Sequence, residues 1–158
     1  MKQIANDIFF TQVEQGLSCG KTVLIPLKGI SMYPFIRNGK DKVLLTSVSL
    51  QTPLKKLDVV LFRYRGKYIL HRIFSIKGDT YIIQGDGIYA SREICHKADI
   101  IGKVVEVHRL SSDNHYKIIP TKSTCWKNLS GLWNLLRPLR RYLLFMLAMP
   151  RKLQQMPR

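Results

Sequence analysis

Ser31 is the residue whose surroundings first suggest chemistry. It follows an apolar run typical of a strand, with Gly29 two residues before it and Pro34 three residues after it. A nucleophilic serine needs a rigid, exposed turn whose backbone N–H groups can hold an oxyanion, and glycine and proline build such turns. The elbow of α/β hydrolases also has glycine two residues after the serine, where this chain has Tyr33. Ser31 is therefore a candidate nucleophile on a different fold.

A serine nucleophile needs a general base, and His71 is the candidate. It lies in the apolar run 68–76 and is followed by Arg72. A neutral imidazole, whose pKa is ordinarily about 6.5, accepts a proton near pH 7. Taken alone, His71 is more typical of a half-buried strand residue with no catalytic role.

Short strands joined by tight turns have to position these two residues. A helix is predicted over residues 3–17, because apolar residues recur three to five positions apart and Gly20 follows. Strands are predicted over residues 22–25, 42–45, 59–64, 68–73, 80–83, 100–107 and 116–119. The expected fold class is mainly β, an antiparallel sheet or open barrel with a short N-terminal helix and a C-terminal helical tail.

Five segments, in order, resemble the sequence boxes of type I signal peptidases and the related self-cleaving SOS repressors. They are Gly29–Pro34, Leu57–Phe62, Leu70–Ile73, Gln84–Asp86 and Asp99–Val104. The resemblance spans roughly residues 25–105 and implies a sheet of the signal peptidase type with Ser31 as nucleophile. His71 stands where most bacterial members have a lysine base. The endoplasmic-reticulum and sporulation-type enzymes have histidine there, so the resemblance implies His71 as general base.

The resemblance leaves the third member of the site open. The histidine-type enzymes have an aspartate a few residues after the Gly-Asp pair, and in this chain that position falls near Ser91 or Arg92. The remaining candidates to orient the imidazole are Asp86 and Glu93. We assign Asp86 to the catalytic set, with a plain turn residue as the alternative.

Three neighbours of the central pair, Gly29, Met32 and Arg72, are assigned to substrate and oxyanion binding. The expected function is a serine endopeptidase that cleaves an extended leader or precursor peptide paired with a strand edge. The alternative is a non-catalytic relative of the same fold that binds peptides or nucleic acid, because no aspartate stands at the expected position. No cofactor and no metal is expected.

Charge divides the chain unevenly. The 158 residues carry a net charge of +16, and half of it falls in residues 121–158, which contain no acidic residue. We therefore expect an N-terminal helical segment over 1–20, a β domain over 21–120 and a basic amphipathic helical tail over 121–158. The tail favours an anionic membrane surface as a partner, through residues 122–152, and makes nucleic acid the less suitable one. Packing of the tail on its own sheet is the alternative.

Cysteine use and hydropathy bear on location. The three cysteines, Cys19, Cys95 and Cys125, are too few and too far apart for a disulfide framework. Cys95 and His96 lack the spacing of metal ligands, so these two residues are expected at the surface. The N-terminus lacks the apolar core of a secretory signal. We expect a cytoplasmic location, with peripheral contact to the inner face of the cytoplasmic membrane as the variant that the tail suggests.

Overall fold

The computed structural model describes residues 2–49 and 53–148 and is built on one sheet. Its helices are α1 (Lys2–Ser18), α2 (Thr124–Leu135) and α3 (Arg140–Ala148), with short 3₁₀ turns at Lys97–Asp99 and Arg137–Leu139. Its strands are β1 (Val23–Pro26), β2 (Lys42–Thr46), β3 (Val59–Tyr64), β4 (Lys67–Lys77), β5 (Thr80–Gln84), β6 (Glu93–His96), β7 (Ile100–Leu110) and β8 (Tyr116–Pro120). The predicted fold class, mainly β with an N-terminal helix and C-terminal helices, is confirmed.

All strand pairs are antiparallel, and the order across the sheet is β1-β2-β7-β3-β4-β5-β6, with β8 also paired to β7. A hairpin turn at Arg65–Gly66 joins β3 to β4, and both turn residues have positive φ, as the tight hairpin turn requires. Pairing shifts register at Val105 and Ile101 of β7 and at Phe74 of β4, and such bulges bend and twist a sheet.

Helix α1 packs closely on the sheet, because apolar side chains one turn apart face it. Val13 and Leu17 are buried in the larger of two core clusters, together with strand residues such as Val43 and Leu61. A side chain on Gly102 of β7 would meet Leu17 Cδ1 at 2.8 Å. Glycine at this position therefore lets the helix approach the strand.

One strand of the sheet, β6, was not predicted from the sequence. Its four residues, Glu-Ile-Cys-His, lack an apolar run, yet they pair with β5 from Thr80 to Ile83. Cys95 was expected at the surface, but it is buried in the second core cluster, because it faces the sheet interior. Burial raises the pKa of its thiol to about 12. His96 next to it is exposed, as expected.

The C-terminal segment is helical, as predicted, and folds as two helices separated by a 3₁₀ turn at Pro138. Ser123 caps α2, accepting a hydrogen bond from the Trp126 N–H. The buried side chains of Trp126, Ser130 and Arg140 attach the segment to the sheet. Residues 149–158 of the predicted tail lie outside the described residues. Among the described helices, none is both long and apolar enough to cross a membrane.

Candidate active site

Ser31 lies in a tight turn just after β1. Gly29 takes a φ of +102°, which side chains disfavour, and its N–H donates to Asn38 Oδ1 at 2.8 Å. Two further backbone bonds close the turn, from Tyr33 N–H to the Ile30 carbonyl and from Ile36 N–H to that of Met32. The peptide bond before Pro34 is cis. Ser31 is half-buried, and hydrogen bonds fix the backbone before and after it.

His71 lies in the middle of β4, paired with Val60 of β3, and only 3% of it is exposed. Its Nδ1 is 3.1 Å from Glu93 Oε2. Glu93 begins β6 and reaches His71 from the far side of β5. With Nδ1–H donated to the carboxylate, Nε2 becomes the acceptor nitrogen of the neutral ring.

Gly85, which follows β5, brings the serine turn and the histidine together. A Cβ on Gly85 would lie 2.5 Å from the Ser31 carbonyl oxygen and 2.9 Å from His71 Nε2. The N–H of Gly87 donates to the Ser31 carbonyl at 2.7 Å. Within the described chain, no hydrogen bond joins the Ser31 hydroxyl to the His71 ring. Such bonds are often long before substrate binds.

The pKa of His71 is lowered, chiefly because burial disfavours the imidazolium. The Glu93 carboxylate and, more weakly, Asp86 oppose this shift by stabilising the positive charge. His71 is thus neutral at pH 7, the state that a general base requires. When the ring takes up a proton, Glu93 is the carboxylate placed to stabilise it.

The assignment of Asp86 as the residue that orients His71 was wrong. Asp86 is buried and bound by Arg72, with Arg72 Nε 2.9 and 3.1 Å from its two oxygens and Nη2 at 2.7 Å. The forked geometry of guanidinium and carboxylate makes this the preferred pairing. The carboxylate within hydrogen-bonding distance of the imidazole is that of Glu93, the second candidate.

The assignment of Arg72 to substrate or oxyanion binding was also wrong. Besides Asp86, its Nη1 donates to the Leu57 carbonyl and to Ser130 Oγ, both at 2.9 Å. Its guanidinium lies between the rings of Phe35 and Trp126, at 4.7 and 5.5 Å from their centres. Buried and fully engaged, Arg72 joins the sheet to α2 and does not face the groove at Ser31.

Gly29 and Met32, which were assigned to substrate and oxyanion binding, line a groove together with Ser31. The N–H of Gly29 is occupied by Asn38, so Gly29 cannot donate to an oxyanion. The groove has a volume of about 490 Å³ and runs between β1 and the first half of β4, with Phe10 of α1 at its side. β1 pairs only with β2 among the described strands, and β5 begins to pair with β4 only at Arg72. Two strand edges therefore face an apolar groove that ends at Ser31.

Side chains of the C-terminal helices donate hydrogen bonds to the loop Gly85–Ile88, a contact that the sequence did not predict. Trp133 Nε1 donates to the Asp86 carbonyl at 3.1 Å, and Arg140 Nη1 lies 3.4 Å from the Gly85 and 3.2 Å from the Ile88 carbonyl oxygen. Arg140 was counted with the tail charge, whereas it is buried. Because Arg140 stands next to apolar residues in a segment without acidic residues, the sequence does not predict its contact with the Ile88 carbonyl, 52 residues away.

No protein-family model matches the chain, and no curated protein matches it either. The chemistry open to the site therefore follows from its own geometry: a serine in a fixed turn, a buried neutral histidine, and a carboxylate behind that histidine.

Proposed function

We propose that the chain is a serine endopeptidase resembling type I signal peptidases, with Ser31 as nucleophile, His71 as general base and Glu93 as the carboxylate that orients the base. The observation that carries this proposal is the placement of His71, with Nδ1 on Glu93 and Nε2 beside Gly85, the residue that also approaches the Ser31 carbonyl. The missing aspartate was the ground for a non-catalytic relative. Glu93 lies within hydrogen-bonding distance of His71, where an orienting carboxylate is needed, and this supports the catalytic interpretation.

The reaction is acyl transfer in two steps. Ser31 Oγ attacks the scissile carbonyl carbon while its proton passes to His71 Nε2, and the imidazolium then protonates the leaving amine. Water, activated by the same imidazole, hydrolyses the acyl-enzyme and restores Ser31. The N–H of Ser31 makes no hydrogen bond among the described residues, and we assign it to hold the oxyanion.

The substrate is an extended peptide lying in the groove between β1 and β4. Backbone groups of both strand edges are available to pair with it, which gives affinity without demanding a particular sequence. The apolar lining, with Ile25, Leu61 and Leu70 on its walls, favours apolar side chains at alternate positions of the peptide.

A peptide-library digest tests this function. The full chain is incubated with a peptide mixture, and new termini are mapped by mass spectrometry. We expect cleavage that disappears in Ser31→Ala and His71→Ala. Two matched controls, Ser91→Ala and His115→Ala, replace exposed residues and should cleave as the parent does. Cleavage that survives both active-site substitutions, or no cleavage by the parent chain, contradicts the proposal.

A further inference from the structure

The C-terminal helices expose large apolar side chains that the domain leaves uncovered. Their exposed fractions run from 48% at Leu147 to 75% at Leu135. We call this group the helical apolar surface: Leu129, Leu132, Leu135, Tyr142, Phe145, Met146 and Leu147. Leu129 and Leu132 line a groove with Ile118 of β8, and Leu135 and Tyr142 line a cavity with Tyr89. Exposed apolar side chains at this density are typical of a docking surface.

The inner side of the same segment is firmly attached. Trp126 and Ser130 are buried beneath α2, where Ser130 accepts from Arg72, and Arg140 at the start of α3 is buried against the Gly85–Ile88 loop. The apolar side chains are thus presented outward by helices that already have their contacts with the sheet. The exposed side can therefore bind a partner while the helices keep their contacts with the sheet.

Charge indicates what that partner is. Residues 121–148 carry five basic residues and no acidic one, and Lys122, Lys127 and Arg141 are exposed. Apolar side chains among exposed cations gain both from burial in acyl chains and from attraction to anionic headgroups. A second copy of the chain would bring like charges together. We propose that α2 and α3 bind the surface of an anionic lipid bilayer.

This docking places the candidate site close to the bilayer. Tyr89, which is half exposed, borders one cavity with Arg141 and Tyr142. Tyr89 follows the loop whose Gly87 N–H binds the Ser31 carbonyl. If the proposed peptidase function holds, the substrates are precursors presented at the membrane surface. The lipid proposal itself does not depend on that function.

Vesicle co-sedimentation of the full chain tests the docking. Vesicles of phosphatidylcholine alone are compared with vesicles that also contain phosphatidylglycerol. We expect strong pelleting only with the anionic vesicles. Arg141→Gln should weaken partitioning roughly fivefold. The pair Leu132→Ser and Phe145→Ser should weaken it by about tenfold or more.

Matched controls lie outside the C-terminal helices, on β6 and in the 3₁₀ turn that follows it. Ile94 on β6 is 59% exposed, comparable to Leu132 and Phe145, and Lys97 is exposed next to it. Ile94→Ser and Lys97→Gln should leave partitioning unchanged, and thermal unfolding should show that all variants fold. Equal binding to both vesicle types, or no loss in the Leu132 and Phe145 variants, overturns the proposal. Self-association without lipid that those variants abolish assigns the surface to a second copy and overturns it as well. None of these readouts requires peptide cleavage.

Discussion

Glu93 Oε2 lies 3.1 Å from His71 Nδ1, and this contact determines what the imidazole can do. It places the ring's N–H on the Glu93 side and leaves Nε2, which lies beside Gly85, as the acceptor. Because burial lowers the pKa of His71 below its ordinary 6.5, the ring is neutral over the physiological range. At the residue scale, the site thus depends on one carboxylate and one close backbone approach.

Replacement of the Glu93 carboxylate tests whether His71 depends on it. In the parent chain we expect kcat/KM to fall as pH drops through a pKa below 6.5, because protonated His71 is not a base. In Glu93→Gln the carboxylate no longer stabilises the imidazolium, so this acid limb should move to still lower pH. The rate above the limb should fall about 10²-fold or more, since the tautomer is no longer held.

The control for this change is Glu106→Gln, which removes a carboxylate 3.0 Å from another histidine, His108, outside the site. Its pH profile should match that of the parent chain. An acid limb that stays in place in Glu93→Gln would show that Glu93 does not act on His71.

The close approach at Gly85 gives a second residue-scale prediction. A methyl group at this position would meet the Ser31 carbonyl oxygen at 2.5 Å and His71 Nε2 at 2.9 Å, so Gly85→Ala must push the two apart. A displacement of about 1 Å between reacting groups can lower a rate by roughly 10²-fold. We expect a loss of that size in the rate of peptide cleavage.

Gly131→Ala is the matched control. Gly131 lies within α2, and a methyl group there would contact nothing. Cleavage should be unchanged, and stability should rise by up to about 1 kcal/mol, because alanine favours the helix. Full activity in Gly85→Ala would contradict a reaction that depends on the close approach of Gly85 to both Ser31 and His71.

At the scale of elements, α2 and the start of α3 act as a brace for the loop Gly85–Ile88. Side chains from these helices bind three carbonyl groups of the loop, and the loop in turn binds the Ser31 carbonyl. The helices therefore position the site without lining the groove.

Trp133→Phe tests this brace, because it removes the N–H donated to the Asp86 carbonyl and keeps an aromatic ring. A lost hydrogen bond of about 1 kcal/mol corresponds to roughly a fivefold fall in kcat. KM should hold, since the groove is untouched. Tyr142→Phe, at an exposed position on α3, should change neither constant. A change in KM alone would argue against a positioning role for Trp133.

The elements themselves follow from the sequence with one exception. Apolar runs such as Val59–Tyr64 and Ile100–Leu110 predict strands by themselves. The residues Arg65–Gly66 between two such runs form the tight turn that joins them. β6 lacks such a run, and its polar ends resemble a loop. Because Glu93 opens β6, the identity of the orienting carboxylate could not be predicted. Only the pairing of β6 with β5 brings Glu93 to His71.

At the scale of the whole molecule, one buried ion pair joins the sheet to the C-terminal helices. Arg72 on β4 binds Asp86 after β5 and Ser130 on α2. The sequence predicts both residues at the candidate site, whereas in the structure they bind each other. Residue type and order do not reveal which carboxylate a buried guanidinium will take.

Asp86→Asn distinguishes the two tasks. As a structural partner, its loss leaves Arg72 buried without its counter-charge, which should lower the free energy of unfolding by about 3 kcal/mol or more. Chemical denaturation measures this, and Asp113→Asn, on the surface, should change it little. If Asp86 instead oriented His71, stability would be near that of the parent and the loss would fall on the rate of cleavage.

Labelling of Ser31 by a fluorophosphonate is the most direct measurement of the central claim, because it requires an activated serine but no knowledge of the substrate. Intact mass and peptide mapping of the full chain should show one adduct, on Ser31. Its rate of formation should fall as pH drops through the lowered pKa of His71 and should be lost in His71→Ala. Absence of an adduct on Ser31, or equal rates in the parent chain and in His71→Ala, would contradict a serine nucleophile activated by His71.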